Sequence, residues 1–474
     1  MPLRFEKVFT GADASRKGRE GEARDRMSLA LGKAVQAQLT RRRDAAGRWM
    51  SERGALAVGV PLTLPERGVV ATIAVPQLDA EFWRAALVPQ NGTTAAAPAQ
   101  RDSLAAAFVP DRVELRTDEL QVFGRRFHEV DLKAQNAAQV WQVRLAAKEA
   151  NGELQFDPFG RGALRARLKN LALEAPGEAG SKPATTSTAL DELPALDVVA
   201  ENFSLGAKKL GRLEVQARNE AAAWRIEKLA IANPDGRLDG RGSWRMQEPR
   251  QFFLDFRLDA EDVGNLLDRL GFPGTVKRGT ATLAGKLSWG GVPVRIDYPS
   301  LTGELQVDVS RGQFARLDPG AGKLLGLISL QSLPRRITLD FRDVFSEGFA
   351  FDSISGRMDV RAGIMRTERL QIDGPSARVV MKGEVDLENE TQKMVVNVQP
   401  ELGGTAALGV ALAHPVAGVV TLLAHKVLQN PLNQIFSFDY SVTGSWSDPK
   451  VEKIATQRLG TPGGTTGEQG ESGK

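Results

Sequence analysis

A glycine-rich stretch is the first place where this sequence could carry chemistry. Asp318-Pro-Gly320-Ala-Gly322-Lys323 has the glycines and the lysine of a phosphate-binding loop, which holds phosphate with backbone amides and a lysine. That loop also needs glycine at position 317 and Ser or Thr at position 324, where the chain has Leu317 and Leu324. The groups that would hold phosphate and magnesium are therefore missing, and we expect no nucleotide binding.

Histidine and cysteine, the usual metal ligands and nucleophile partners, are scarce. The chain has no Cys and only 3 His, and His128, His414 and His425 lie far apart in the sequence. A G-x-S-x-G elbow does not occur either. We therefore expect no metal site, no cofactor and no enzymatic activity. The absence of thiols is compatible with an oxidising envelope compartment.

The positive charge is concentrated at the N-terminus. Residues 1–54 hold 13 Lys/Arg against 7 Asp/Glu, whereas the whole chain has a net charge of +4. The remaining sequence is therefore slightly acidic, which argues against nucleic-acid binding. The residues after Met1 are charged and do not form the apolar core of a secretory signal. If the protein works outside the cytoplasm, we expect the exporting N-terminal anchor to be missing from this chain.

Alternation of apolar and charged residues is the dominant pattern. Val379, Met381 and Val385 alternate with charged residues such as Lys382, and successive side chains of a strand point to opposite faces. Similar alternation occurs at 141–145, 252–258, 283–289, 301–309 and 337–341. The sequence predicts a mainly β fold, with an elongated and curved antiparallel sheet, one apolar face and a few short helices.

Four short helices are predicted among these strands. Two of them are a helix over 80–87 with Asp79 as its N-cap and a helix that begins at Asp318-Pro319. Met27, Leu31, Val35 and Leu39 recur every four residues, which predicts a basic amphipathic helix in a poorly ordered segment 1–54. The fourth helix is expected after Asp259 as its N-cap. Its apolar stripe is formed by Val263, Leu266, Leu267 and Leu270.

Composition divides the chain into segments. Stretches rich in Ala, Pro, Gly and Ser at 89–103 and 175–195 predict linkers. The predicted organisation is an N-terminal segment 1–54, a sheet segment 55–174, a linker 175–195, a second sheet region 196–455 and a disordered tail 456–474. The second region includes an apolar helical segment at 402–429.

The apolar block from Leu402 to Ala424 has no charged side chain and is long enough to span a bilayer. Paired glycines and Pro415 interrupt it, and much of it is Ala. It therefore predicts two short helices that cap the sheet or lie on a membrane surface, with a spanning helix as the third alternative. The predicted membrane-contact residues are Leu408, Val410, Leu412, Val419, Val420, Leu422 and Leu423.

Longer stretches of the sequence resemble a known family. GELQVDVSRGQFARLDPGAGKLLGLISLQSLPRRITLDFRDVFSEGFAFDSISG, which begins at Gly303, is similar to the hallmark region of the AsmA-like proteins of the YhdP type. LGRLEVQARNEAAAWRIEKLAI, LDRLGFPGTVKRGTATLAGKLSW, HKVLQNPLNQIF and YSVTGSWSDPKV resemble the same subgroup. The resemblance covers about residues 55–452. Residues 1–54 do not match it, so we expect a C-terminal portion of a longer protein.

The resemblance implies a repeating β-groove that carries phospholipids between the inner and outer membranes of a Gram-negative envelope. It places the chain in the periplasm, associated with membranes, and implies contact with the outer-membrane side at the C-terminus and with other envelope proteins. We expect the groove to be lined by Leu283, Leu287, Leu305, Val307, Val309, Leu339, Val379, Met381 and Val385.

Two other functions remain open at this stage. An envelope scaffold or assembly factor for outer-membrane proteins would use the edges of the same sheet. A sugar-binding β module would need clustered exposed aromatic residues, and the Trp residues are scattered along the sequence.

Overall fold

The computed structural model describes residues 3–10, 24–43, 49–80, 110–122, 125–174, 193–220, 222–293, 295–314, 349–400 and 437–454. Of these residues, 74% are in β-strands, which confirms the predicted mainly β fold with few helices. The first twelve strands are β1 (Leu3–Thr10), β2 (Arg24–Leu31), β3 (Val35–Arg43), β4 (Trp49–Val58), β5 (Gly68–Asp79), β6 (Arg112–Val122), β7 (Arg125–Ala137), β8 (Val140–Ala146), β9 (Ala150–Asp157), β10 (Ala163–Leu173), β11 (Ala195–Leu205) and β12 (Lys208–Asn219). The others are β13 (Ala223–Asn233), β14 (Gly236–Arg245), β15 (Gln251–Ala260), β16 (Val276–Lys277), β17 (Thr280–Gly290), β18 (Thr302–Phe314), β19 (Ala350–Arg361), β20 (Ile364–Asp373), β21 (Ala377–Asp386), β22 (Thr391–Pro400), β23 (Phe438–Ser445) and β24 (Pro449–Lys453). The helical elements are α1 (Val263–Arg269) and a 3-10 turn (Tyr298–Ser300).

The chain divides into two compact units. Unit 1 comprises Met1–Leu258, Arg269–Gly271 and Ser288–Asp297. Unit 2 comprises Asp259–Asp268, Phe272–Leu287 and Tyr298–Lys474. Each unit has hydrophobic clusters of its own.

Strands of unit 1 that follow one another mostly pair antiparallel, but three pairs are parallel: β4 with β5, β5 with β6, and β10 with β11. Two parallel strands begin at the same side of the sheet, so the connection between them must run back along the full length of the first strand. The connection from β5 to β6 contains the predicted linker 89–103, and the connection from β10 to β11 contains the predicted linker 175–195 except for Ala195, which begins β11. The intervening strands β6 to β10 form an uninterrupted antiparallel series.

Unit 2 is an antiparallel series from β18 to β24. Its core is one large buried cluster that extends across these strands and includes Ile372, Val379, Met381 and Tyr440. Strand β16 pairs with the end of β18 and adds Val276 to that cluster.

Bulges interrupt the ladders of both units. The β9–β10 register shifts between Leu168 and Asn170, next to Gly152, which has a φ of 152°. A Cβ atom at Gly152 would lie 2.3 Å from the carbonyl oxygen of Arg167, so only glycine fits there. Bulges bend strands and increase their local twist.

The helix predicted over Met27–Leu39 is wrong. These residues form the hairpin of β2 and β3, with the turn at 32–34 and Gly32 at a φ of 57°. A spacing of four residues also fits a strand, because four is a multiple of two. Leu29 and Ala37 continue the alternation on the same face and distinguish the strand pattern from the helical one.

The helix predicted after Asp259 is present as α1, but its cap differs. Asp262 accepts the backbone N–H of Asn265 at 2.9 Å, whereas Asp259 accepts the hydroxyl of Thr282 at 2.8 Å. Val263 and Leu267 pack against the core of unit 2, as their spacing predicts, and Leu270 lies beyond the end of the helix.

The predicted helices over 80–87 and from Asp318 lie outside the described residues, apart from Ala80.

Candidate functional site

Apolar side chains of unit 1 line up across the strands, because residues opposite each other in a ladder share a face. On β8, Trp141, Val143 and Leu145 are half-buried, whereas Gln142 and Arg144 on the other face are exposed. Each of the three belongs to a row of side chains that runs at right angles to the strands.

The three rows consist of register partners on neighbouring strands. The Trp141 row is Trp141, Phe156, Leu164, Leu196, Ala217 and Ile226. The Val143 row is Val113, Ala134, Val143, Leu154, Ala166, Val198, Val215 and Leu229. The Leu145 row is Leu115, Leu132, Leu145, Gly152, Leu168, Ala200, Leu213, Ile231 and Leu238. Together they form the apolar face of unit 1.

Unit 2 has an equivalent pair of rows. One row is Val309, Ile354, Ile372, Val379, Val398 and Phe438. The other is Val307, Gly356, Leu370, Met381, Val396 and Tyr440. Together they form the apolar face of unit 2. The structure therefore brings four of the predicted lining residues together: Val307, Val309, Val379 and Met381.

The predicted lining residues differ in exposure. Val379, Met381 and Val385 are only 1–2% exposed. Leu305, Val307 and Val309 on β18 are half-buried, as are Leu283 and Leu287 on β17. Leu339 and the seven predicted membrane-contact residues lie outside the described residues.

The polar face of unit 1 holds charges that pair across strands. Arg167 hydrogen-bonds Asp197 at 2.7 Å and lowers the pKa of that carboxyl below its usual range. Lys228 bonds Glu214 in the same way and lowers the pKa of Glu214. The lowered pKa values keep these carboxylates ionised and paired with cations on neighbouring strands, as is usual on a solvent-facing sheet surface.

One histidine has an acidic partner. His128 Nδ1 lies 2.6 Å from Glu149 Oε1, and the His128 backbone N–H donates to the same carboxylate. Burial alone would raise the pKa of Glu149, but the bonds from His128 lower it below its usual value. Within the described residues, no group of three or more His, Cys, Asp or Glu side chains could hold a metal ion. His414, His425 and the Gly320–Lys323 stretch lie outside the described residues.

A buried ion pair in unit 1 was missed by the sequence reasoning. Asp25 and Arg41 are register partners on β2 and β3, with Arg41 Nη2 2.5 Å from Asp25 Oδ2. Both side chains are almost fully buried, and the Arg41 guanidinium lies 5.2 Å from the centre of the Trp49 ring. Correct strand assignment would have revealed the pair, because the two residues are opposite each other only in a hairpin.

No helix within the described parts of the chain is long and apolar enough to cross a membrane. The block 402–424 lies outside them.

The fold and the site thus define a mainly β protein in which each of two units presents one apolar sheet face. A family model described as "YhdP protein" matches residues 12–451, so the chain belongs to the YhdP family. The match begins well before residue 55, which corrects the expectation that residues 1–54 fall outside the family. It includes β2, β3 and β4.

A curated relative supports the same assignment. The chain is similar to "Intermembrane phospholipid transporter YhdP" of Escherichia coli (strain K12), with 24% identity over 364 residues. The alignment covers 74% of this chain and 28% of that protein, so the chain spans less than a third of the relative's length. The comparison with solved structures gives no significant match.

Proposed function

We propose that this chain is a segment of a lipid conduit that carries phospholipids between the two membranes of a Gram-negative envelope. The apolar face of unit 1 would hold acyl chains. The observation that carries the proposal is the half-burial of the rows on β7, β8 and β9, because those side chains retain apolar surface that water contacts. Covering apolar surface is worth about 25 cal/mol per Å², so acyl chains would bind there without any polar contact.

The comparisons support a lipid as the occupant. The E. coli relative is named as an intermembrane phospholipid transporter, and the family match includes both units. An envelope location, a periplasmic environment and contact of the C-terminal block with a membrane belong to this proposal. So do the groove shape, the absence of enzymatic activity and the lining role of Leu283, Leu287, Leu305, Val307 and Val309.

The fully buried residues Val379, Met381 and Val385 have a different role in the proposal. At 1–2% exposure they have almost no surface left for a ligand. We assign them to the core of unit 2, beneath or beside the half-buried residues of β18. An acyl chain would reach them only if the neighbouring side chains moved.

The experiment that tests the proposal is mass spectrometry of solvent extracts from the purified full chain. We expect phospholipid in molar proportion to protein after gel filtration. The control is an unrelated β protein purified from the same cells in the same detergent-free buffer. Phospholipid at or below the level of that control would contradict the proposal and would leave the scaffold function as the better account.

A further inference from the structure

Each strand of unit 1 runs between two opposite sides of the sheet, which we call its edges and which consist of strand ends. The two edges differ in composition. Strands β4, β8 and β13 begin at the same edge, and β14 ends there. This edge, which we call the tryptophan edge, carries Trp49, Trp141, Trp224, Trp244 and Trp289. Five of the 7 tryptophans, scattered in the sequence, are therefore gathered along one side of the unit, whereas Trp446 is in unit 2 and Trp83 lies outside the described residues.

The exposed apolar residues follow the same asymmetry. Met50, Phe156, Phe159 and Phe253 are between 37% and 59% exposed, and all lie at the tryptophan edge. Phe156 is in the Trp141 row, and Phe159 follows the end of β9. The other exposed large apolar side chains described in unit 1 are Leu31, at the opposite edge, Phe5 and Val8 on β1, and Ile296 after β17.

Arginines accompany these aromatic residues. The Arg41 guanidinium, which is buried and paired with Asp25, lies 5.2 Å from the Trp49 ring centre. The Arg245 guanidinium lies on the polar face, 5.8 Å from the Phe253 ring centre. The strand ends at the opposite edge include the aliphatic residues Leu120, Val122, Leu173, Leu205 and Leu210. They also include charged residues: Arg125, Arg126, Lys208, Lys209 and Arg237.

The positions of the tryptophans match one boundary of a single lipid leaflet, whereas the cations occur at both edges. Tryptophan favours the boundary between headgroups and hydrocarbon, and leucine and valine favour the hydrocarbon itself. From Trp141 to Ala147 the apolar face of β8 extends about 20 Å at a rise of about 3.3 Å per residue. One leaflet of a bilayer contributes about 15 Å of hydrocarbon, so an acyl chain fits along the strands.

Three of the tryptophans have a structural role that does not conflict with this reading. The indole N–H groups of Trp224, Trp244 and Trp289 donate to backbone carbonyls at 2.7–3.1 Å, and these rings are nearly buried. They close the end of the sheet. Trp141 is only half-buried, and with Phe156 and Phe159 it leaves aromatic surface for a ligand.

We infer that a phospholipid bound to unit 1 lies along the strands, with its phosphate and glycerol at the tryptophan edge and its acyl ends toward Leu210. The inference rests on the proposed function and deepens it, because it assigns a direction to the lipid within the face.

Site-directed labelling tests this orientation, since the chain has no Cys of its own. A bimane fluorophore is attached to Phe156→Cys at the tryptophan edge, to Leu210→Cys near the opposite edge, and to Gln142→Cys on the polar face. Phe159→Cys is the second position at the tryptophan edge, in case Phe156→Cys does not fold. Each full-length variant is mixed with phosphatidylcholine vesicles whose nitroxide is near either the ester end or the methyl end of one acyl chain.

We expect the ester-end nitroxide to quench the label at position 156 or 159 at least about twofold more strongly than the methyl-end nitroxide does. The reason is that about 20 Å separates the two edges. The label at position 210 should show the reverse preference. Equal or inverted preferences at the two edges would overturn the orientation while leaving lipid binding intact. If neither nitroxide quenches the labels at positions 156, 159 and 210 more than the label at position 142 on the polar face, the proposed function itself would be overturned.

Discussion

The apolar faces of units 1 and 2 share the same sequence pattern but differ in burial. On β8 of unit 1, Trp141, Val143 and Leu145 are half-buried. On β21 of unit 2, Val379, Met381 and Val385 are 1–2% exposed. The difference shows that alternation predicts which face of a strand is apolar but not what covers that face. The face is closed at β21, whereas it leaves apolar surface available at β8. The contrast is local, because Leu168, Ala200 and Leu213 farther along the unit 1 face are also buried.

The largest expected effect is on the stability of unit 2. Val379→Asp places a carboxylate in a closed core, which we expect to lower the free energy of unfolding by about 4 kcal/mol, because an unpaired buried charge is not solvated. Val380→Asp is the matched control, since its register partners are Gln371 and Asn397 on the polar side. Urea denaturation followed by circular dichroism measures both. If Val379→Asp and Val380→Asp lower the free energy of unfolding equally, the face at Val379 is open to water, and the contrast between β21 and β8 would be wrong.

The buried ion pair of unit 1 provides the next effect. Arg41→Met leaves Asp25 buried without its main partner, and breaking such a pair costs about 3 kcal/mol. The double variant Asp25→Leu with Arg41→Met should regain most of that stability, because no unpaired charge remains. Thermal and urea denaturation of the three proteins measures this. A double variant as unstable as the single one would show that the two side chains do not act as a pair.

The open face of unit 1 should tolerate a charge better. Val143→Asp is expected to cost about 1 kcal/mol of stability, since the new carboxylate can reach water from a half-buried position. The same change should reduce retained phospholipid severalfold, whereas Gln142→Asp on the polar face should not. Denaturation and lipid extraction on the same samples separate the two readouts. Retention of lipid by folded Val143→Asp would remove this row from the binding face.

The smallest expected effect concerns pH. The Arg167 hydrogen bond lowers the folded-state pKa of Asp197, so this carboxyl stabilises the fold above its unfolded pKa of about 4. That stabilisation is lost as pH falls through the lower, folded-state pKa. Asp197→Asn should therefore reduce stability at pH 7 by less than about 1 kcal/mol, because the pair is largely exposed, and should flatten the decline in acid. If the stability of Asp197→Asn falls in acid as steeply as that of the unchanged protein, Asp197 does not contribute to the acid dependence.

The sequence predicted the strands because each alternating run specifies its own face. Trp141–Leu145 and Ala377–Leu387 needed no information from elsewhere in the chain. The hairpin at Met27–Leu39 was mistaken for a helix because a four-residue spacing fits both periods. Its turn at Gly32 and the pairing of Asp25 with Arg41 become visible only when the strands are assigned.

The candidate site was only partly predictable. The sequence identified Val307, Val309, Val379 and Met381 as members of one face, and the structure aligns them in adjacent rows. Register and burial depend on bulges and on neighbouring strands, which local patterns do not encode. For the same reason the gathering of tryptophans along one edge could not be read from their spacing. The family match extends to residue 12, beyond the range that the sequence motifs indicated.

Photo-crosslinking within β8 tests the central claim most directly. A benzophenone amino acid replaces Val143 on the apolar face in one full-length protein and Gln142 on the polar face in another. Each is illuminated in cells grown with radiolabelled phosphate. The account predicts a phospholipid adduct at position 143 and none above background at position 142. Equal labelling at both positions, or none at position 143 in a folded protein, would contradict the claim that this face holds lipid.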